Sequence, residues 1–208
     1  MYDKKVIIVG YSGHGFVVAD AAISAMINLK YYSEINDMPT NPYQLEYIGF
    51  ESDEFFKGWD LDCDFILGIG DNNVREKIAK IILLKNKKIQ NVIHPSASIS
   101  KNVIIGNGNF ISKNVAINPL ATIGNFCIIN TGCIIEHECV ISDAVHIAPG
   151  AVLSGNVSVG KRTFIGANSV VKQNIKIGKD VIIGAGSVII KNIPDGKTIV
   201  GNPGKEIK

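Results

Sequence analysis

Between Ile93 and Ile189 every sixth residue is Ile, Leu or Val, seventeen times without a break, and only Leu153, Val159 and Val171 depart from isoleucine. Four residues after each stands a mostly small or β-branched side chain, such as Ala97, Val103, Cys127, Cys133, Cys139, Ala151 or Ser169, with Asn109 the clear exception. A period of six matches neither an α-helix nor an alternating strand. It describes a chain that winds as a three-sided prism, one short flat side per hexad and 18 residues per coil. Ile93, Ile111, Ile129, Ile147, Ile165 and Ile183 then stack in one interior column. A second column begins at Ile99 and a third at Ile105. At roughly 4.8 Å per stacked strand, five to six coils make a parallel-laddered rod about 25 to 30 Å long.

Ahead of the hexads the pattern changes to alternating strand and helix signals. Lys5 to Val9 reads as a buried strand ending in Gly10, and Phe16 to Ile27 is apolar at helical spacing. A polar stretch runs from Ser33 to Gln44. A second apolar run, Asp64 to Ile69, ends in Gly70, Asp71 and Asn72, and Val74, Ile78, Ile81 and Ile82 mark one face of a following helix. Ile89 to Ile93 forms a last short strand. The chain therefore divides into a Rossmann-like β-α-β domain over residues 1–90, with a parallel sheet, and a parallel β-helix over 91–208. The turn Gly10-Tyr11-Ser12-Gly13-His14-Gly15 is glycine-rich at a strand-to-helix junction, where a phosphate can approach backbone amides. Its spacing is not G-x-G-x-x-G, which disfavours a nicotinamide dinucleotide. Gly70 to Asn72 close a second strand on the same edge, and both turns fall where ligands bind in open α/β sheets.

Composition narrows the class. The chain has 208 residues, a net charge of +2 and 46% hydrophobic residues, and no apolar stretch long enough for a membrane span or signal peptide, so a cytoplasmic protein is expected. Three of the four cysteines fall on interior hexad positions and read as reduced thiols; no paired Cys-x-x-Cys spacing supports a metal site. Residues 155–208 hold nine Lys or Arg against three acids, +6, leaving −4 for the remainder. That asymmetry fits a solvated coil exterior or a pocket for a polyanion such as coenzyme A.

Among four histidines, His137 and His146 lie within the hexads at non-interior positions. His137 stands between Glu136 and Glu138, and a neighbouring carboxylate orients an imidazole as a general base near neutral pH. His146 lies nine residues later, half a coil away, hence on another side of the prism. If both rings act together the site lies between subunits, and a three-sided rod suggests a trimer.

These residues resemble the bacterial nucleotide-sugar acetyltransferases of the hexapeptide-repeat, left-handed parallel β-helix type, which include bacillosamine-pathway N-acetyltransferases and sialic acid O-acetyltransferases. The resemblance rests on Gly13-His14-Gly15, on Gly68-Ile69-Gly70-Asp71-Asn72 with Arg75, on the hexads, on Ile135-Glu136-His137-Glu138-Cys139-Val140-Ile141, and on Gly201-Asn202-Pro203-Gly204-Lys205. It implies the left hand of the helix, which the usual crossover rule would not give. It implies His137 as base and Glu138 as its orienting acid, with acetyl-CoA bound by His146, Gly155, Ala167 and Ala185, Gly155 supplying an amide near the thioester oxygen. It implies nucleotide contacts from Ser12, Gly13, His14, Asp37 and Asn72, with Asn130 facing the sugar. Relatives often carry two adjacent acids after the second strand, where this chain has Asn36 and Asp37, and Tyr11 replaces a small residue. The activity implied is direct acetyl transfer from acetyl-CoA to the amine of a UDP-linked 4-amino-4,6-dideoxy sugar, without a metal, in a homotrimer. The alternatives are a GDP- or dTDP-linked amino sugar, O-acetylation of a sialic acid-type sugar, and a non-catalytic nucleotide-sugar-binding scaffold.

Overall fold

The structure is a computed structural model and describes residues 4–207. Strand β1 (Val6–Val9) is buried on both faces, as its unbroken VIIV run requires in a parallel sheet. It leads into helix α1 (Gly13–Ser24), then β2 (Leu29–Ser33), β3 (Glu46–Tyr47), a 3₁₀ turn at Lys57–Trp59, β4 (Asp64–Leu67) and helix α2 (Asn72–Leu84). The sheet has the order β3-β2-β1-β4 and is parallel throughout. β2 and β3 flank the polar stretch from Ser33 to Gln44 and carry no apolar pattern of their own: β2 reads Leu-Lys-Tyr-Tyr-Ser, and β3 is two residues long. On α2 the buried face is Ile78, Ala79 and Ile82 together with the polar Asn72, Arg75 and Glu76, while Val74 is exposed. Apolar periodicity missed these three polar residues.

From Val92 onward the chain forms two-residue strands every six residues, paired in register 18 residues apart. Three parallel ladders result. Face 1 runs from Val92–Ile93 to Ile182–Ile183 and is closed by Thr198–Val200, face 2 from Ser98–Ile99 to Val188–Ile189, and face 3 from Ile104–Ile105 to Lys176–Ile177. The three interior columns are those expected from the hexads and make one core with the small residues between them. Asn109 keeps its interior place by bonding backbone on both sides: its Nδ2 donates to the Gly124 carbonyl at 2.8 Å and its Oδ1 accepts from the Cys127 amide at 2.6 Å. Cys127, Cys133 and Cys139 are buried free thiols, each donating to a carbonyl one rung away, and burial pushes the first two up to about 12.

Face 1 is covered. Its outward residues Val92, Phe110 and Ile128 pack under the α/β sheet with Val18, Ala19 and Ala22 of α1. The outward residues of face 2, namely Ala116, Ile134, Val152, Val170 and Val188, form an apolar ladder that nothing among the described residues covers.

The corners follow a second period of six. From 108 to 186 the residue three after each hexad aliphatic takes a positive φ, and glycine, asparagine or aspartate occupies nine of these fourteen places. Leu120, Phe126, Glu138, Ala144 and Arg162 occupy the other five at φ between 56° and 66°, a strained conformation costing about 1 kcal/mol or more each. Those five exceptions fall on two patches described below.

Among the described residues no helix is long and apolar enough to cross a membrane.

Candidate active site

His137 sits on the corner between faces 2 and 3, directly before the strained Glu138. The ring Nδ1 lies 3.0 Å from Glu138 Oε2, and both side chains are more than half exposed, at 58% and 57%. A carboxylate only accepts, so Nδ1 carries the proton and the Nε2 lone pair remains free to take one. Opposite lies Gly155, one coil on, where an added Cβ would fall 2.5 Å from both Cε1 and Nε2. The ring therefore rests on Gly155, and the glycine is what admits it.

His146 projects from face 1, the side opposite that corner, in the seam beneath the α/β sheet. Its Nε2 lies 3.2 Å from Asn130 Nδ2, and Asn130 Oδ1 accepts from the Thr131 amide. The amide nitrogen of Asn130 must then donate, which fixes Nε2 as acceptor and leaves the proton of the neutral ring on Nδ1. Phe164 stands edge-on at 5.0 Å and His14 at 6.1 Å between ring centroids. Burial first, then the Arg75 charge, then His14 push His146 down to about 3. Burial and Arg75 push His14 to about 4, and its Nε2 is buried without a partner. Both rings are neutral at pH 7. Within one chain the structure does not bring His137 and His146 together. It does bring His14, Asn130 and His146 together.

Ala167 and Ala185 stack one coil apart on the corner between faces 1 and 2, the corner that also carries Asn130; the Gly186 amide donates to the Ala167 carbonyl. Of the basic residues near the end of the chain, Lys161 and Arg162 are taken up by Glu76 and Asp180. Lys172, Lys176 and Lys191 are exposed and make no ion pair among the described residues.

A cleft of about 450 Å³ opens at the carboxyl ends of β1, β2 and β4. Ser12 and His14 line it, and Gly13 borders α1's first turn with open space where a Cβ would be. Gly15 and Gly68 serve packing instead, since a Cβ on either would meet the Gly10 carbonyl at 2.2 or 2.1 Å, and their bareness lets α1 and β4 close against the turn. No side chain caps α1, whose Gly15 amide donates to the Ser12 carbonyl, whereas α2 is capped by Asp71, whose carboxylate accepts from the Asn73 and Val74 amides.

Two expected nucleotide contacts take other places. Asp37 does not line the cleft; its carboxylate accepts from the Tyr32 hydroxyl. The acids of the cleft are Glu34, which directly follows β2 and accepts from the Tyr11 amide, and the buried Glu51, which accepts from the Ser33 hydroxyl. Glu34 was legible, because a strand end followed by an acid is the ribose-binding place in such sheets, but β2 itself escaped detection. Asn72 is buried with its side chain fully engaged: Nδ2 donates to the Arg162 and Thr163 carbonyls, and Oδ1 accepts from Arg75. Its side chain joins the two parts of the chain rather than facing the cleft.

Residues 5–82 match the family described as PglD N-terminal domain, and residues 156–191 the bacterial transferase hexapeptide family. A UDP-N-acetylbacillosamine N-acetyltransferase of Bacillus subtilis is 36% identical over 122 residues, and the match spans about half of that relative, 51%. The acetyltransferase domain of PglB from Neisseria gonorrhoeae, solved with acetyl coenzyme A, is 30% identical with a TM-score of 0.91, covering 98% of this chain and 99% of that one. PerB from Caulobacter crescentus, solved with CoA and GDP-perosamine, is 31% identical with a TM-score of 0.91, covering 98% and 97%. At 30% and 31% identity to these two solved acetyltransferases over 98% of its length, this chain belongs to the bacterial nucleotide-sugar acetyltransferases of the hexapeptide-repeat, left-handed β-helix type.

Proposed function

We propose that the chain transfers an acetyl group from acetyl-CoA directly to the amine of a UDP-linked 4-amino-4,6-dideoxy sugar, with His137 as general base. The observation that carries this is the His137–Glu138 pair seated on Gly155, with a free Nε2 at the coil surface. An amino sugar arrives largely as ammonium, which has no lone pair. Nε2 takes one of its protons, and the freed amine attacks the thioester carbonyl. As the tetrahedral intermediate collapses, the C–S bond breaks and CoA leaves as the thiol, its thiolate taking a proton from the new amide nitrogen by way of the imidazolium; such general acid–base catalysis is worth typically about 10²- to 10⁴-fold. The Gly155 amide offers a donor for the developing oxyanion. Burial pushes the interior thiols up, so none serves as a covalent nucleophile.

The active assembly is a trimer formed around face 2. Turning the uncovered ladder Ala116, Ile134, Val152, Val170 and Val188 of three copies toward one axis buries it. Each copy's corner between faces 2 and 3, with His137, then meets the next copy's corner between faces 1 and 2. That corner carries Asn130, Ala167 and Ala185, with His146 beside it on face 1. Acetyl-CoA would lie in this groove, the small Ala167 and Ala185 leaving room for its pantetheine arm and the exposed Lys172, Lys176 and Lys191 available to its phosphates. The sugar nucleotide would lie in the cleft, its pyrophosphate at Ser12, Gly13 and the uncapped start of α1, its ribose at Glu34. Such a catalyst works in the cytoplasm, where acetyl-CoA is available.

The test is thiol release from acetyl-CoA with UDP-, GDP- and dTDP-linked 4-amino-4,6-dideoxyhexoses and free sialic acid side by side. Transfer to the UDP-linked amine is expected. Preference for the GDP-linked sugar, which accompanies PerB, would overturn the choice of nucleotide. Acetylation of sialic acid alone would overturn the reaction class, and no consumption of acetyl-CoA with any acceptor would leave a binding scaffold.

A further inference from the structure

Arg75 is 1% exposed and meets no carboxylate, yet all five of its N–H groups are satisfied. Nε donates to the Phe126 carbonyl at 2.7 Å and Nη2 to the Ala144 carbonyl at 3.0 Å, on successive rungs of one corner of the prism. Nη1 donates to the carbonyls of Gly70 at 2.9 Å and Ile69 at 3.2 Å, at the mouth of the cleft. Nη2 also donates to Asn72 Oδ1 at 2.7 Å, and the Nδ2 of that residue reaches Arg162 on the third rung. Phe126, Ala144 and Arg162 are three of the five strained corner residues. A buried cation with no counter-ion is a poor device for stability, since desolvation costs more than neutral acceptors return. A rigid planar fork is a good device for fixing the relative position of five acceptors.

We propose that Arg75 is a positioning residue for acetyl transfer: bonded at once to Ile69 and Gly70 of the cleft and to two rungs of the coil, its guanidinium holds the nucleotide cleft in one fixed relation to the coil that carries His146. This rests on the function proposed above. Gly70 lines the cleft and accepts from Arg75, whose other donors reach the Phe126 and Ala144 carbonyls of the coil, so one side chain spans cleft and coil beside the His146 ring. The groups facing His146 are His14 from α1, Arg75 from α2, and Asn130 and Phe164 from the coil.

The test is Arg75→Lys, which keeps the charge but cannot reach both ladders, with Asn72→Ala as a milder second variant. A displacement of about 1 Å between cleft and coil costs about 10²-fold in rate. Arg75→Lys is therefore expected to lower kcat about 10²-fold and Asn72→Ala about tenfold, with Kd for UDP and for acetyl-CoA each within about threefold of the wild type. A purely structural role would lower the melting temperature and leave kcat per folded trimer unchanged; kcat within about threefold in both variants overturns the proposal. If Arg75→Lys does not fold, Asn72→Ala decides alone. Should the wild type acetylate nothing, the functional reading fails by itself, and ¹⁵N-histidine spectra decide about Arg75. Loss of the single His146 tautomer in either folded variant supports it, and unchanged ring signals overturn it.

Discussion

Substituting Gly155 by alanine adds one methyl group directly beneath the proposed base. The new Cβ would lie 2.5 Å from His137 Cε1 and Nε2 and 3.3 Å from Cδ2, whereas carbon contacts relax at about 3.5 to 4.0 Å. The ring must retreat by about 1 Å. It can do so at little cost to folding, because it is 58% exposed and anchored only through Nδ1 to Glu138. The Gly155 amide is retained, so oxyanion stabilisation is not removed with the ring's seat. A 1 Å error in the position of a catalytic group is worth about 10²-fold, or about 2.7 kcal/mol of transition-state stabilisation. We therefore expect kcat for the best acceptor to fall about 10²-fold, with the melting temperature within about 2 °C of the wild type, roughly the shift of a few tenths of a kcal/mol. Thiol release from acetyl-CoA under saturating acceptor measures this directly. The double variant His137→Ala with Gly155→Ala should be no slower than His137→Ala alone, since both changes act through one ring. Full activity in Gly155→Ala, or additive losses in the double variant, would refute the role of this seat.

The seam histidines and Glu76 make stability depend on pH in two stages. His14 and His146 are held down to about 4 and 3, below the 6.5 of an unfolded chain, so stability is full above pH 6.5 and falls by about 1.4 kcal/mol per pH unit per ring below it. Urea midpoints should drop by an amount equivalent to about 3 kcal/mol between about pH 6.5 and 5; a flat profile there would show the rings to be exposed. Burial by itself would raise Glu76, but Lys161, Lys80 and Arg162 outweigh it and hold this carboxyl at about 2. Its contribution of about 3 kcal/mol is present above pH 4.5 and lost as the pH falls toward 2, so Glu76→Gln should abolish that second stage. Asn109→Ala removes two buried bonds to backbone and should cost about 2 to 4 kcal/mol by thermal unfolding, whereas Asn107→Ala, exposed nearby, should be neutral. Val152→Glu on the bare face should yield folded monomers by sedimentation with acetyl transfer abolished, and an intact trimer would remove face 2 from the assembly.

Much of this was legible from residue spacing alone. Hexad isoleucines gave the prism, its three columns and its 18-residue register, because a strand only two residues long leaves no room for a side chain to choose another direction. The His137–Glu138 contact was legible too, since adjacent residues on a tight corner cannot lie far apart. The five breaks in the glycine, asparagine and aspartate corner pattern were readable and mark both the His137 corner and the Arg75 clasp. β2 and β3 were hidden because β2 buries Tyr32 and the polar Ser33 with no apolar run, and β3 is only two residues long.

What the tertiary structure decided is how the two parts meet. Nothing in the spacing of Asn72 and Arg75 says that they donate to carbonyls on three rungs lying some 50 to 90 residues away along the chain. Nor does it say that His146 lies neutral in a seam, or that Glu34 and not Asp37 lines the cleft. Periodicity fixes what every coil does alike, since each rung repeats the same local forces. A seam between unlike surfaces has no period, and its partners are set by which groups burial leaves within hydrogen-bond reach.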